Sequence, residues 1–183
     1  MSTRTASRTA DLATGSWLLD PARSSAEFEV PSFYGLATVK GGFRRYVGTL
    51  NMSDPPAVAL VIEADSLDTG NRRRDKHLRS AAFFDADEYP WVRFEADGAE
   101  RDGDEMKVRG ELYAAGKHMP LDVDATVTAV GEEFEIEASA VVDHRELGMR
   151  FSPLGMVGDH TRLLVRGRLM RAEDQPRDRE LSE

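Results

Sequence analysis

Without a single cysteine among its 183 residues, the chain can form no disulfide framework, no thiolate metal site and no cysteine nucleophile. Positive charge is also scarce. Lys and Arg total 24 against 33 Asp and Glu, a formal charge of −9, so a phosphate backbone would be repelled rather than neutralised, and a nucleic-acid partner is not expected. No stretch approaches the ~20 apolar residues of a membrane span. The opening MSTRTASRTADLATGS holds no apolar run of signal-peptide length, so a cytoplasmic location is expected. Catalytic signatures are missing as well: the serines lack a nucleophile elbow, no glycine-rich phosphate loop appears, and none of His77, His118, His144 and His160 sits in a tight metal-ligand motif such as HExxH. No catalytic residue, metal ligand or cofactor is assigned.

What is present is alternation. Apolar residues fall on every second position at Phe28 and Val30, at Val58, Leu60 and Ile62, and at Val92, Phe94 and Ala96. The pattern continues at Met106, Val108 and Leu112, along Leu121 to Val127, and along Phe134 to Val142, with acids and bases such as Glu27, Arg93, Lys107, Asp122 and Glu135 between. Each such strand is wet on one face and dry on the other. With hardly any helical sequence to cover the dry face, a large antiparallel sheet is expected to curl into a barrel.

The ordered chain is expected to span residues 16–171, between disordered tails at 1–15 and 172–183, where the sequence is polar, charged and non-periodic. One short helix is predicted near residues 71–80, NRRRDKHLRS, with Asn71 as its N-cap and Leu78 as its one strongly apolar side chain. The following AAFFDADEYPW gathers Phe83, Phe84, Tyr89 and Trp91, and helix and aromatic run together read as a lid or plug at one barrel end. The paired glycines of ATVKGGF predict a bend or bulge at a barrel corner. Turns are expected at residues 101–104, at Ala115–Gly116 and at Gly131, and a partly apolar loop is expected from Asp143 to His160.

These segments resemble the YceI-like family, whose members are lipocalin-like barrels that bind polyisoprenoids and related long-chain amphiphiles. The resemblance rests on WLLDPARSSAEFEV, GGFRRYVGTL, VRGELYAAGKHMPL, VDHRELGM and VGDHTRLLVRGRL, and above all on the central block DSLDTGNRRRDKHLRSAAFFDADEYPWVRFEA. In that block Asp75, His77, Leu78, Phe83, Phe84, Asp85, Tyr89, Pro90 and Phe94 follow the order and spacing of the family signature. The resemblance implies an all-β, extended antiparallel barrel of about eight strands, a helix against one opening and an apolar tunnel. It further implies a non-catalytic role in binding, transport or sequestration of a polyisoprenoid or fatty-acid-like lipid, and it favours a homodimer.

A tunnel for such a chain needs burial rather than catalysis, at about 0.8 kcal/mol per enclosed methylene. Inward parity nominates Phe28, Phe43, Leu60, Ile62, Phe94, Leu112, Phe134 and Ile136 as its wall, and Phe83, Phe84, Met149 and Met156 as gate residues. His144 and Arg145, at the end of an inward-apolar strand, are candidates to meet a polar head group. Small inward residues, namely Gly41, Ala96, Gly110, Ala125, Ala138 and Gly167, leave space unless bulky neighbours fill it. Two alternatives remain open at this point: an enzyme on an amphiphilic substrate using His144, Asp159 or His160 as acid or base, and a haem or metal barrel with one histidine ligand.

Overall fold

A computed structural model describes residues 15–32, 35–53, 56–96, 98–149 and 158–174. The strands are β1 (Ser16–Leu19), β2 (Ser25–Ser32), β3 (Ala37–Phe43), β4 (Tyr46–Asn51), β5 (Ala57–Glu63), β6 (Leu67–Asp68), β7 (Trp91–Ala96), β8 (Ala99–Asp102), β9 (Glu105–Ala114), β10 (Lys117–Val130), β11 (Glu133–Asp143) and β12 (His160–Arg171). They form one antiparallel sheet. Its order β1-β4-β5-β7-β9-β10-β11-β12 closes on itself through a second pairing of β1 with β12, giving the eight-stranded barrel.

Three of the eight barrel positions are occupied by broken strands. A 3-10 turn at Pro21–Arg23, with the Asp20 carboxylate accepting from Ala22 N–H, separates β1 from β2. A bend at Arg44–Arg45 separates β3 from β4, and a second 3-10 turn at Ala64–Ser66 separates β5 from β6. One end of β12 therefore pairs with β1 and the other with β2, which continues to β3 and β6. The bend does not fall at the paired glycines. Gly41 and Gly42 stay in regular register opposite Phe28 and Glu27, and Gly41 lacks a side chain because the Phe28 ring lies where its Cβ would be.

Turn chemistry fixes the longest hairpin. Ala115 and Gly116 both have positive φ, 50° and 73°, the two-residue loop whose twist matches its flanking strands, and it pairs Ala114 with Lys117. The helix α1 (Arg72–Arg79) starts where the Asn71 side chain accepts from Arg73 and Arg74 N–H. It contributes two buried side chains: Leu78 to the core, and Asp75, whose carboxylate accepts from Thr69 N–H and Oγ1. The aromatic run after it divides. Phe83 is buried and Phe84 packs against the core, whereas Tyr89 and Trp91 are exposed, so only the first pair turns into the barrel.

The two ends of the barrel differ. At the β1 end, Trp17 is buried edge-on against Phe134 at 4.8 Å between ring centres, and the Arg171 guanidinium covers its ring at 5.2 Å. The opposite end is spanned by α1, Phe83 and Phe84. The glycines of the dry face leave no space: the Phe94 ring fills the position over Gly110, as Phe28 does over Gly41, and Ser24 occupies that over Gly167. A Cβ at Gly110 would also collide with the Glu95 carbonyl oxygen, a backbone atom that cannot swing away. Gly110→Ala is therefore expected to cost about 1–3 kcal/mol, measured as a lower urea midpoint with an unchanged m-value.

Candidate functional site

The side chains on the dry face do not fill the barrel to its axis: an eight-stranded barrel can be packed by its own side chains or can hold one small ligand, and here the inward residues leave space. What is left is a cavity of about 200 Å³, measured as the space open to the centre of a water-sized sphere. A single buried water needs only about 10–15 Å³ by that measure, so the space is far larger than a packing defect.

Phe28, Phe43, Leu60 and Ile62 line it from β2, β3 and β5. Phe94, Leu112 and Ile136 line it from β7, β9 and β11, and Phe83, Phe84, His144 and Met149 line it at the α1 end. Among the alternating residues, Ala125 and Ala138 face each other directly across β10 and β11 and also line it. Small residues on the wall, this alanine pair among them, contribute to the open space, whereas Gly41, Gly110 and Gly167 do not line it.

Two nominated residues lie elsewhere. Phe134 has inward parity, but Trp17 covers it, so it is part of the floor packing and does not line the cavity. Arg145 turns outward, because two acids hold it there: its guanidinium pairs with Asp143 at 2.7 Å and with Asp159 at 2.9 Å. Those contacts hold the Asp143 carboxyl well below the usual carboxylate range, the hydrogen bonds from Arg145 being the largest cause. Met156 lies outside the described residues.

The polar group at the α1 end is a pair. His144 Nδ1 lies 3.0 Å from Thr161 Oγ1, and both side chains are buried and line the cavity. The backbone fixes the histidine from both sides, with His144 N–H donating to the Asp159 carbonyl and the His144 carbonyl accepting from Met149 N–H. Thr161 is absent from the sequence-derived candidates, although it shares the inward parity of Leu163 and Val165 and was legible from it. Leu147, which also lines the cavity, sits in a turn where no period marks it. Burial lowers the His144 pKa below its ordinary value near 6.5, so the ring is neutral at neutral pH.

The other charged candidates stand apart from the cavity. Asp159 is committed to Arg145, and His77, His118 and His160 are all exposed. Among the described residues, no three of His, Cys, Asp and Glu come together as a metal-ligand group.

The YceI-like domain profile matches residues 17–169. Two curated relatives, the YceI proteins of Shigella flexneri and Salmonella arizonae, are 33% and 31% identical over 103 residues. Each match covers 54% of this chain and 54% of the relative, so the chain spans about half the length of the curated relatives it matches. Among solved structures, Burkholderia cenocepacia BcnA superposes with a TM-score of 0.76 at 17% identity, over 82% of this chain and 98% of that one. The Campylobacter jejuni YceI protein gives 0.66 at 23% identity, over 73% of this chain and 85% of that one. A polyisoprenoid-binding domain from Saccharophagus degradans, implicated in plant cell wall breakdown, gives 0.69 at 15%, over 85% and 98%. At these identities the structures establish a shared fold.

Because the folded His144 pKa is depressed, the unfolded chain binds the extra proton first as pH falls. The contribution of neutral His144 is complete above the unfolded value near 6.5 and is lost below it, so the urea midpoint should fall between about pH 7.5 and 5. Replacing the ring with His144→Asn should flatten that part of the profile, and the difference between the two proteins isolates His144 from the exposed histidines.

Proposed function

The chain belongs to the YceI-like family, and on that premise we propose that it binds a polyisoprenoid or a similar long-chain amphiphile inside the barrel, to carry or sequester it without chemical change. The observation that carries this reading is the composition of the cavity wall, which is hydrocarbon from Phe28, Leu60, Phe94, Ala125 and Ile136 up to the neutral His144–Thr161 pair. A hydrocarbon chain placed there gains about 0.8 kcal/mol per methylene removed from water and leaves no polar wall group unsatisfied along its length. The Saccharophagus degradans domain that shares the fold is a polyisoprenoid-binding domain.

The polar pair favours one class of head group. A carboxylate or diphosphate buried against a neutral imidazole and a hydroxyl would carry an uncompensated charge, which costs several kcal/mol. An alcohol, a carbonyl or a quinone oxygen needs only a hydrogen bond. Neutral isoprenoids thus fit better than ionised fatty acids. Acid–base catalysis on an amphiphile draws less support, since the side chain on His144 Nδ1 is Thr161 and the Asp159 carboxylate is held by Arg145 on the outer surface.

Native mass spectrometry of the purified protein, followed by denaturation and lipid identification, tests the reading. Retained prenol or quinone mass in the wild type and its loss in Ala138→Phe, a variant that places a ring in the cavity, is the expected result. Wild-type protein that stays empty when offered geranylgeraniol, with no rise in melting temperature, overturns it.

A further inference from the structure

Strand register brings the ends of several elements to the same end of the barrel as α1. The start of β3 with Leu36, the start of β7, the β9–β10 turn and the end of β11 all lie there. Tyr89 packs over Gly116 of the β9–β10 turn, and Lys117 reaches Gly148 of the turn after β11, which ties these segments into one rim. This rim carries exposed large apolar side chains, Leu36 at 90%, Trp91 at 50% and Tyr89 at 40% of full exposure, with Val141 at 61% near the end of β11.

The rim also carries a run of basic residues on an acidic chain, in the helix RRRDKHLR. Within α1, Arg74 and Arg79 turn inward to donate to Thr69 and to the Leu67 carbonyl, while Arg72, Arg73 and Lys76 are exposed. Several surface arginines elsewhere are paired with acids, as Arg23 is with Asp20 and Glu133, and Arg45 with Glu63 and Asp65. Among the described residues, no acid lies within ion-pair distance of Arg72, Arg73 or Lys76. The one acid of the helix, Asp75, is buried and held by Thr69. The exposed acids of the same stretch are Asp87 and Glu88, in the turn before Tyr89.

Exposed tryptophan, tyrosine and leucine beside unpaired basic side chains are the chemistry of a bilayer interface, where aromatic rings sit at headgroup level and cations meet lipid phosphates. We propose that the α1 rim docks on an anionic phospholipid surface, with Arg72, Arg73 and Lys76 on headgroup phosphates and Leu36, Tyr89 and Trp91 in the interface. The net charge of −9 then works as an orienting device. The acidic chain as a whole is repelled by an anionic bilayer, so the rim, where exposed basic side chains lie free of acids, is the part that approaches. Cargo held in lipid would meet the barrel there.

Co-sedimentation with vesicles of phosphatidylcholine alone, and of phosphatidylcholine with about 30% phosphatidylglycerol, reads the docking directly. Binding to the anionic vesicles only, released by about 0.5 M salt, is expected. The triple variant R72E/R73E/K76E should lower the bound fraction about tenfold while its circular dichroism and its prenol retention stay as in the wild type. The variant D87N/E88Q should bind more tightly. Since the chain has two tryptophans and Trp17 is buried, a blue shift of emission on vesicle addition reports Trp91.

No binding to anionic vesicles, or binding unchanged by the triple reversal, overturns the proposal. So does a dimer in vesicle-free solution that Trp91→Ala dissolves, which would make the rim an interface between copies. Prenol retention is measured independently of vesicles, so failure of docking and failure of cargo binding remain distinguishable.

Discussion

Everything inside this protein depends on the pairing of β1 with β12. The contact is short, Trp17 opposite Arg171, Leu18 opposite Met170 and Leu19 opposite Leu169, yet it converts an open sheet with two unpaired edges into a closed ring. An open sheet of this composition would expose a dry face and a row of unmet backbone groups, which invites association with other chains. Closure satisfies the backbone on both sides of β1 and buries the dry face against itself. It also sets the width, which for eight strands is about what inward side chains can fill or what one small ligand needs. Whether a cavity is left then depends on the inward residues, and small ones such as Ala125 and Ala138, opposite one another on the wall, contribute to it.

The breaks in three strands then give the ring two unlike ends. Below the breaks the barrel is continuous and is floored by Trp17, Phe134 and Arg171, in one aromatic contact and one cation–π contact. Above them β2, β3 and β6 continue as a separate flap of sheet, and the gap this opens is occupied by α1 and the Phe83–Phe84 turn. An eight-residue helix with one buried leucine would not be stable alone. Here the Asn71 cap, the Asp75–Thr69 contacts and Leu78 hold it to the flap. The polar pair of the cavity sits under this end because the strand carrying Val142 ends there, and the turn after it brings His144 back inside while sending Arg145 out.

Most of this architecture was legible in the sequence, since a period of two is a direct statement about which face each residue occupies, and turn residues such as Ala115–Gly116 state where the chain reverses. What parity could not state is whether a position on the dry face touches empty space or a neighbour. Phe134 and Ile136 have the same parity two residues apart, and only the arrival of Trp17 from a strand over a hundred residues away makes one floor and the other wall. The inward glycines depend on the same thing, because their space is taken by Phe28, Phe94 and Ser24 from neighbouring strands. Leu147 gave no local signal, and the outward turn of Arg145 depends on Asp159, brought near by the pairing of β11 with β12.

The His144–Thr161 pair shows how far charge economy reaches into such a fold. A histidine at the top of an apolar cavity can be tolerated only if it is neutral or paired with a charge, and here burial settles the choice by depressing its pKa. The nearest carboxylates, Asp143 and Asp159, would favour the charged ring, but both are already held by Arg145 on the outer side. Arg145 therefore acts on the cavity without touching it: by keeping those two acids outside, it keeps the interior free of charge. A ring left neutral in this way can exchange a hydrogen bond with a ligand oxygen, whereas an imidazolium in the same place would demand an anion. The outward ion pairs and the dry interior are two consequences of the same local arrangement, set by a single turn of chain after β11.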